Sequence, residues 1–207
     1  MKKLIIFGTG GHSKIVNDMA ESCGFTVEAF ISDTGIKEHL GHRVYSCIEE
    51  IDNVDSYSFF IARGDNLLRK SIYEKHKNLN YPNIIHPTAL ISKYSNIGNG
   101  NLLMPYSVVN AFAQIGSQNI INTSAVVEHD CTVGSFCHVS VKSVMTGAVT
   151  IGDGVFLGAG STVRDGKSIA DWITVGVGSS VVKDLVQTNS VYVGCPAEFL
   201  RKNYETL

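Results

Sequence analysis

Little of this chain is charged, only 17% of its 207 residues, and no apolar run approaches the roughly 18 residues needed to cross a bilayer. Insertion into a membrane is therefore not expected. A basic excess is missing too. Nineteen acids against 17 Lys plus Arg leave a formal charge of -2, which argues against a general nucleic-acid binder. The five cysteines are odd in number and contain no C-x-x-C pair, so neither a disulfide framework nor a zinc ribbon is indicated, and a reducing cytoplasm is the expected location. Met1 to Phe7 opens like a secretory signal, but the apolar run stops at Gly8 and is too short for one. What the chain does have is 20 glycines and 44% hydrophobic residues, a composition of tightly turned, regular structure in one or two small domains.

Its character changes near residue 83. Before that point apolar runs alternate with helical stretches: strands over 3–7, 27–31 and 57–62, and helices over 11–22 and 66–78, the second carrying Leu67, Leu68, Ile72 and Tyr73 at helical spacing. This is a βαβ pattern, and residues 1–83 are expected to form a small Rossmann-like α/β domain. From Ile85 to Val181 every sixth residue is aliphatic, seventeen in a row, and two positions earlier the residue is usually small, as at Ala113, Ala125, Cys131, Cys137, Ser143 and Ser161. Period six with an inward aliphatic predicts a parallel β-helix over 84–207, in which three hexads make one triangular coil. The run supplies about five coils. Residues 18 apart then stack directly, and no insertion interrupts the register. Cys131 and Cys137 are read as packing residues of this column. After Val181 the period fades into a short strand, Val191–Val193, and a turn, Gly194–Ala197.

Two groups of residues carry possible chemistry. The first strand ends in Gly8-Thr9-Gly10-Gly11-His12-Ser13 and runs into a helix, a setting where backbone N–H groups cradle phosphate. Ser13 stands where a dinucleotide fingerprint needs glycine, which disfavours NAD. Asp33, after the second strand, is placed to accept from a ribose or base, and Arg63-Gly64-Asp65 forms another loop at the same crevice. Within the repeats, ionisable residues gather at Glu128-His129-Asp130, with His138 nine residues on. A carboxylate beside His129 would hold its tautomer and raise its basicity. His129 plus 18 is Gly147, so a backbone N–H stacks one coil from the imidazole, an arrangement suited to acyl transfer. His138 lies half a coil away, so a reaction using both histidines needs a site between subunits, and a three-sided prism suggests a trimer. A zinc site of three histidines has no suitable spacing.

These residues resemble those of bacterial sugar acetyltransferases with a left-handed β-helix, a family including nucleotide-4-amino-sugar N-acetyltransferases and sialic acid O-acetyltransferases. The resemblance rests on Gly8-Thr9-Gly10-Gly11-His12, Phe59 to Asn66 followed by Arg69-Lys70, Asn122 to Cys131, His138 to Val141 and Val193 to Ala197. It implies a homotrimer, acetyl-CoA as donor, no metal, and a nucleotide-linked amino sugar as acceptor. By the same resemblance His129 is the general base with Asp130 beside it, Asn122 lies near the acceptor amine, and Gly147 donates to the thioester carbonyl. His138 contacts the thioester side, CoA runs past Gly176, Gly178, Pro196 and Ala197, and the nucleotide lies at Gly10, Gly11, His12, Asp33 and Gly64. O-acetylation of a sialic acid is the alternative reading.

Overall fold

The computed structural model describes residues 2–203. Its N-terminal part comprises β1 (Lys2–Phe7), α1 (Gly11–Ser22), β2 (Phe25–Ile31), β3 (Glu38–His39), β4 (His42–Tyr45), β5 (Ser58–Ile61) and α2 (Asn66–Lys75). The sheet order is β3-β4-β2-β1-β5, parallel except for the β3–β4 hairpin. That hairpin carries no apolar alternation. It is set by its two-residue turn, where Leu40 and Gly41 both have positive φ.

One expectation fails in α2. The helix stops at Lys75 rather than 78, and Leu67 and Leu68 are 47% and 54% exposed, while Asn66 and Arg69 are its buried residues. The surface beneath the start of this helix is a row of backbone carbonyls, so the donors of Asn66 and Arg69 face it, while Ile72 and Tyr73 pack against the apolar core of the sheet.

That row belongs to the β-helix. Seventeen two-residue strands run from Ile84–Ile85 to Ser180–Val181 in three parallel sheets, each strand pairing with the one 18 residues on, as in Val108↔Val126 and His138↔Phe156. The aliphatic column from Leu103 to Val181 is buried, with Cys131, Cys137, Ser143 and Ser161 fully enclosed beside it. Each such aliphatic contributes about 1.5–3 kcal/mol. Ile85, Ile91 and Ile97 are only partly buried, because no coil lies below the first one. Corners recur in the left-handed region, with Gln118, Phe136 and Trp172 at φ of 60°, 61° and 57°. At Gly154, in the same column, a Cβ would strike the Trp172 ring. Buried asparagines tie successive coils: Asn119 Oδ1 accepts from Cys137 N at 2.7 Å, and its Nδ2 donates to Gly134 O at 2.9 Å.

Past Val181, Leu185 closes the end of the core. Ser190–Val193 continues the sheet in parallel, and Glu198–Lys202 folds back on it antiparallel, a return strand that the apolar pattern did not announce.

The three outer faces differ. One carries the N-terminal domain, whose Leu4, Ile6, Val16 and Met19 share a core with Ile84, Leu102, Met104 and Ile120. The second presents Asn96, Gln114, Thr132, Thr150 and Ser168. The third presents Leu90, Val108, Val126 and Val144, with Leu90 65% exposed.

Candidate active site

His129 and Asp130 sit at the corner that follows Val126–Val127, at the edge of the apolar face. Asp130 takes φ 59°, a conformation its short side chain tolerates, and the corner turns both residues outward. His129 Nδ1 lies 2.8 Å from Asp130 Oδ2. An ionised carboxylate only accepts, so Nδ1 carries the proton and Nε2 is left with a lone pair. The Asp130 hydrogen bond holds the imidazole pKa above its ordinary 6.5, with the neighbouring charges of Asp130 and Glu128 acting in the same direction and burial opposing them. Gly147 stacks on this ring: a Cβ there would come within 2.7 Å of His129 Cε1 and 2.8 Å of Nε2. Ala148 N donates to His129 O at 2.9 Å, whereas the Gly147 N–H has no partner among the described residues.

A second cluster forms at the junction of the two domains. His138, 8% exposed, places Nε2 2.9 Å from Asn122 Nδ2 and Nδ1 3.3 Å from Gly64 O. His12, at the start of α1, has its ring 6.5 Å from that of His138, and its buried Nε2 has no partner. Burial, and then the Arg69 charge, lower both histidines to about 4. The structure thus brings His12, Gly64, Asn122 and His138 together. They do not share a face with His129: His138 is in the sheet that carries the N-terminal domain, and His129 follows a strand of the apolar sheet.

Two cavities open near these residues, one within the N-terminal domain and one between it and the β-helix. One, about 300 Å³, lies at the ends of β1 and β2 and is lined by Gly8, Ser32, Asp33, Arg63 and His76 among others. Gly8 has φ 109°, and a Cβ there would crowd Ala62 O and Arg63 Nε at 3.1 Å. The other, about 460 Å³, lies between the start of α2 and the β-helix, with Gly64, Asp65, Asn66, Phe156, Trp172 and Asn203 in its walls. The N-cap of α1 is Gly10, which offers no side-chain cap, and neither Gly10, Gly11 nor Gly64 would meet any atom within 4 Å on gaining a Cβ. Packing does not demand glycine at these three positions. Serine, alanine or threonine in their place would narrow the approach to the backbone N–H groups.

The C-terminal candidates are scattered over the last coils. Gly178 is an open corner at φ 66°, Gly176 packs so closely under Val193 that a Cβ would strike Val193 Cγ1 at 2.7 Å, Pro196 is exposed in the turn, and Ala197 is buried in the core. Sequence reading did not single out Phe156, Trp172 or Gln118 as site residues, and they become neighbours of these sites only through the 18-residue stacking and the docking of α2. Among the described residues no three His, Cys, Asp or Glu side chains gather as a metal site, and no helix is long and apolar enough to cross a membrane.

Residues 3–76 match the family model described as the PglD N-terminal domain. Nearly the whole chain superposes on a histidine mutant of perosamine N-acetyltransferase from Caulobacter crescentus in complex with CoA and GDP-perosamine, with 34% identity, 97% of each chain covered and a TM-score of 0.91. The chain belongs to the left-handed β-helical family of acetyl-CoA-dependent sugar N-acetyltransferases. A further match is the acetyltransferase domain of PglB from Neisseria gonorrhoeae FA1090 in complex with acetyl coenzyme A, at 29% identity over 96% of this chain and 99% of that one, with a TM-score of 0.90. Family membership accounts for the architecture of an N-terminal α/β domain seated on one face of the prism.

Proposed function

We propose that the protein transfers the acetyl group of acetyl-CoA to the 4-amino group of a nucleotide-linked amino-deoxy sugar, with His129 as general base. The observation that carries this reading is the outward His129–Asp130 pair, with a free Nε2 next to the unpartnered N–H of Gly147. The amine nitrogen attacks the thioester carbonyl carbon and gives its proton to His129 Nε2. The carbonyl oxygen takes up negative charge against the Gly147 N–H, and the carbon–sulfur bond then breaks to release CoA. Asp130 steadies the imidazolium formed on the way.

Acetyl-CoA lies along the outer coils, past Gly147, Gly176 and Gly178 toward Pro196 and the backbone of Ala197. The nucleotide occupies the cavity of Asp33, with its phosphates at the uncapped start of α1, where Gly10, Gly11 and His12 leave first-turn N–H groups open. The sugar reaches past Gly64, in the wall of the larger cavity, toward Asn122 and its neighbour His138. Because these residues and His129 lie on different faces, the site closes only when the His129 corner of one protomer meets the junction of another. The stripe of Leu90, Val108, Val126 and Val144 favours such packing, and a three-sided prism makes the assembly a homotrimer. The unpaired thiols fit a cytoplasmic enzyme.

The test is His129→Ala, assayed with acetyl-CoA against UDP-, GDP- and dTDP-linked 4-amino sugars and against sialic acid. The variant is expected to fold and assemble normally and to lose roughly 10²–10⁴-fold in turnover. Wild-type turnover by the variant rules the base assignment out, and turnover of sialic acid alone replaces the amine acceptor with a hydroxyl.

A further inference from the structure

Arg69 is the largest fully buried side chain, 1% exposed, and it has no ion pair among the described residues. Its guanidinium is instead spent on carbonyls from both domains. Nε donates to Gln118 O at 2.7 Å. Nη2 donates to Phe136 O at 2.7 Å, Cys137 O at 3.1 Å and Asn66 Oδ1 at 2.8 Å. Nη1 donates to Arg63 O at 2.9 Å and reaches Gly64 O at 3.4 Å. Gln118 and Phe136 are stacked corners one coil apart, so the planar fork reads a fixed spacing of the prism and holds the 63–65 loop against it.

The residues next to these anchors are Gly64 and His138, and through them runs a chain of hydrogen bonds, from Thr123 to Gly64, whose direction is set at both ends. Thr123 N donates to Asn122 Oδ1 at 2.7 Å. At the other end Gly64 O accepts from His138 Nδ1. A backbone N–H only donates and a carbonyl only accepts, so the links between have one possible polarity: His138 carries its proton on Nδ1, and its Nε2 accepts from the Asn122 amide. Phe156 backs the ring edge-on at 5.1 Å, and the charged or titratable neighbours are Arg69 and His12.

We propose that Arg69 is a positioning residue: by pinning the 63–65 loop to the prism it fixes His138 as the Nδ1–H tautomer, and His138 in turn orients Asn122 so that its remaining N–H is what meets the ligand. His138 then has no ring N–H left for the thioester and acts through Asn122. The tautomer claim stands without any assumption about catalysis; its kinetic consequence rests on the acetyl-transfer reading above.

The experiment is ring-nitrogen NMR on ¹⁵N-histidine-labelled wild-type protein, followed by the same spectra and kinetics on Arg69→Lys. In the wild type we expect a protonated Nδ1 and a bare Nε2 on His138 from about pH 5 to 8, a window in which free histidine titrates. A bare Nδ1, a tautomer mixture or a titration within that window overturns the proposal. Lysine keeps the charge and loses the fork, so Arg69→Lys should give a tautomer mixture and an acceptor KM raised about tenfold with kcat little changed. A pure Nδ1–H tautomer with wild-type KM in that variant would mean that Arg69 is structural only. If Arg69→Lys does not fold, Asn122→Asp decides, because a carboxylate facing Nε2 must draw a proton there, and an unchanged neutral Nδ1–H ring contradicts the relay. Absence of acetyl transfer by the wild type would remove the functional reading and leave the spectra to judge the relay.

Discussion

His129 and His138 are the same residue type in opposite surroundings, and the roles proposed for them follow from that difference. His129 stands in solvent with a carboxylate at 2.8 Å, so its pKa lies above 6.5. A base must be unprotonated to act, so kcat/KM should rise with pH through a midpoint above 6.5. Asp130→Asn removes the main cause of that shift, and its pH–rate profile should show the midpoint at lower pH together with a reduced maximum. An unchanged midpoint would separate Asp130 from the imidazole. His138 is buried and held at about 4, well below the value it has in an unfolded chain. Its folded form therefore refuses a proton that the unfolded form accepts. Stability is fully present above about pH 6.5 and falls as the pH drops from there toward 4, by at most about 1.4 kcal/mol per pH unit for this one group. His12, shifted in the same direction, steepens the loss. Urea midpoints measured across this range check it, and a flat profile would be the contrary result.

At the scale of elements, the β-helix was legible because one rule, an aliphatic every sixth residue, is also the rule of its core. The register 85, 103, 121, 139 and 157 recurs as the observed stack without a slip. The strands β1, β2 and β5 and helix α1 were readable from apolar runs for the same reason. The stacking of Gly147 on His129 followed from the arithmetic of three hexads. The inner face of α2 did not, since periodicity marks apolar burial, and this helix buries Asn66 and Arg69 against carbonyls. Nor did β3, β4 and the C-terminal return strand, where pairing comes from turn geometry and backbone hydrogen bonds rather than from a side-chain pattern. His12, Gly64 and Asn122 were expected at the sugar nucleotide and His138 at the thioester side, and their meeting at one junction was not foreseen. The asparagine ladder offers a clean energetic test. Asn119→Ala strands a buried Cys137 N–H and a Gly134 carbonyl, each costing about 1–3 kcal/mol, and should lower the unfolding free energy by several kcal/mol without altering the coil. Chemical denaturation reads this directly, and a loss below about 1 kcal/mol would mean that water replaces the ladder.

On the scale of the whole molecule, the prism has one face covered by its own N-terminal domain, one polar face and one apolar face whose corner carries His129. On the proposed acetyl-transfer reading, a single protomer therefore holds two half-sites that never meet. The most direct test is complementation. His129→Ala and Asn122→Ala chains, each inactive alone, are co-expressed under two tags, purified through both, and assayed for acetyl transfer to the nucleotide sugar. Activity regained in the doubly tagged oligomer, and absent from either parent oligomer, is the predicted result, because mixed neighbours bring one intact His129 corner to one intact junction. Mixed oligomers that form and stay as inactive as their parents would contradict a site shared between protomers.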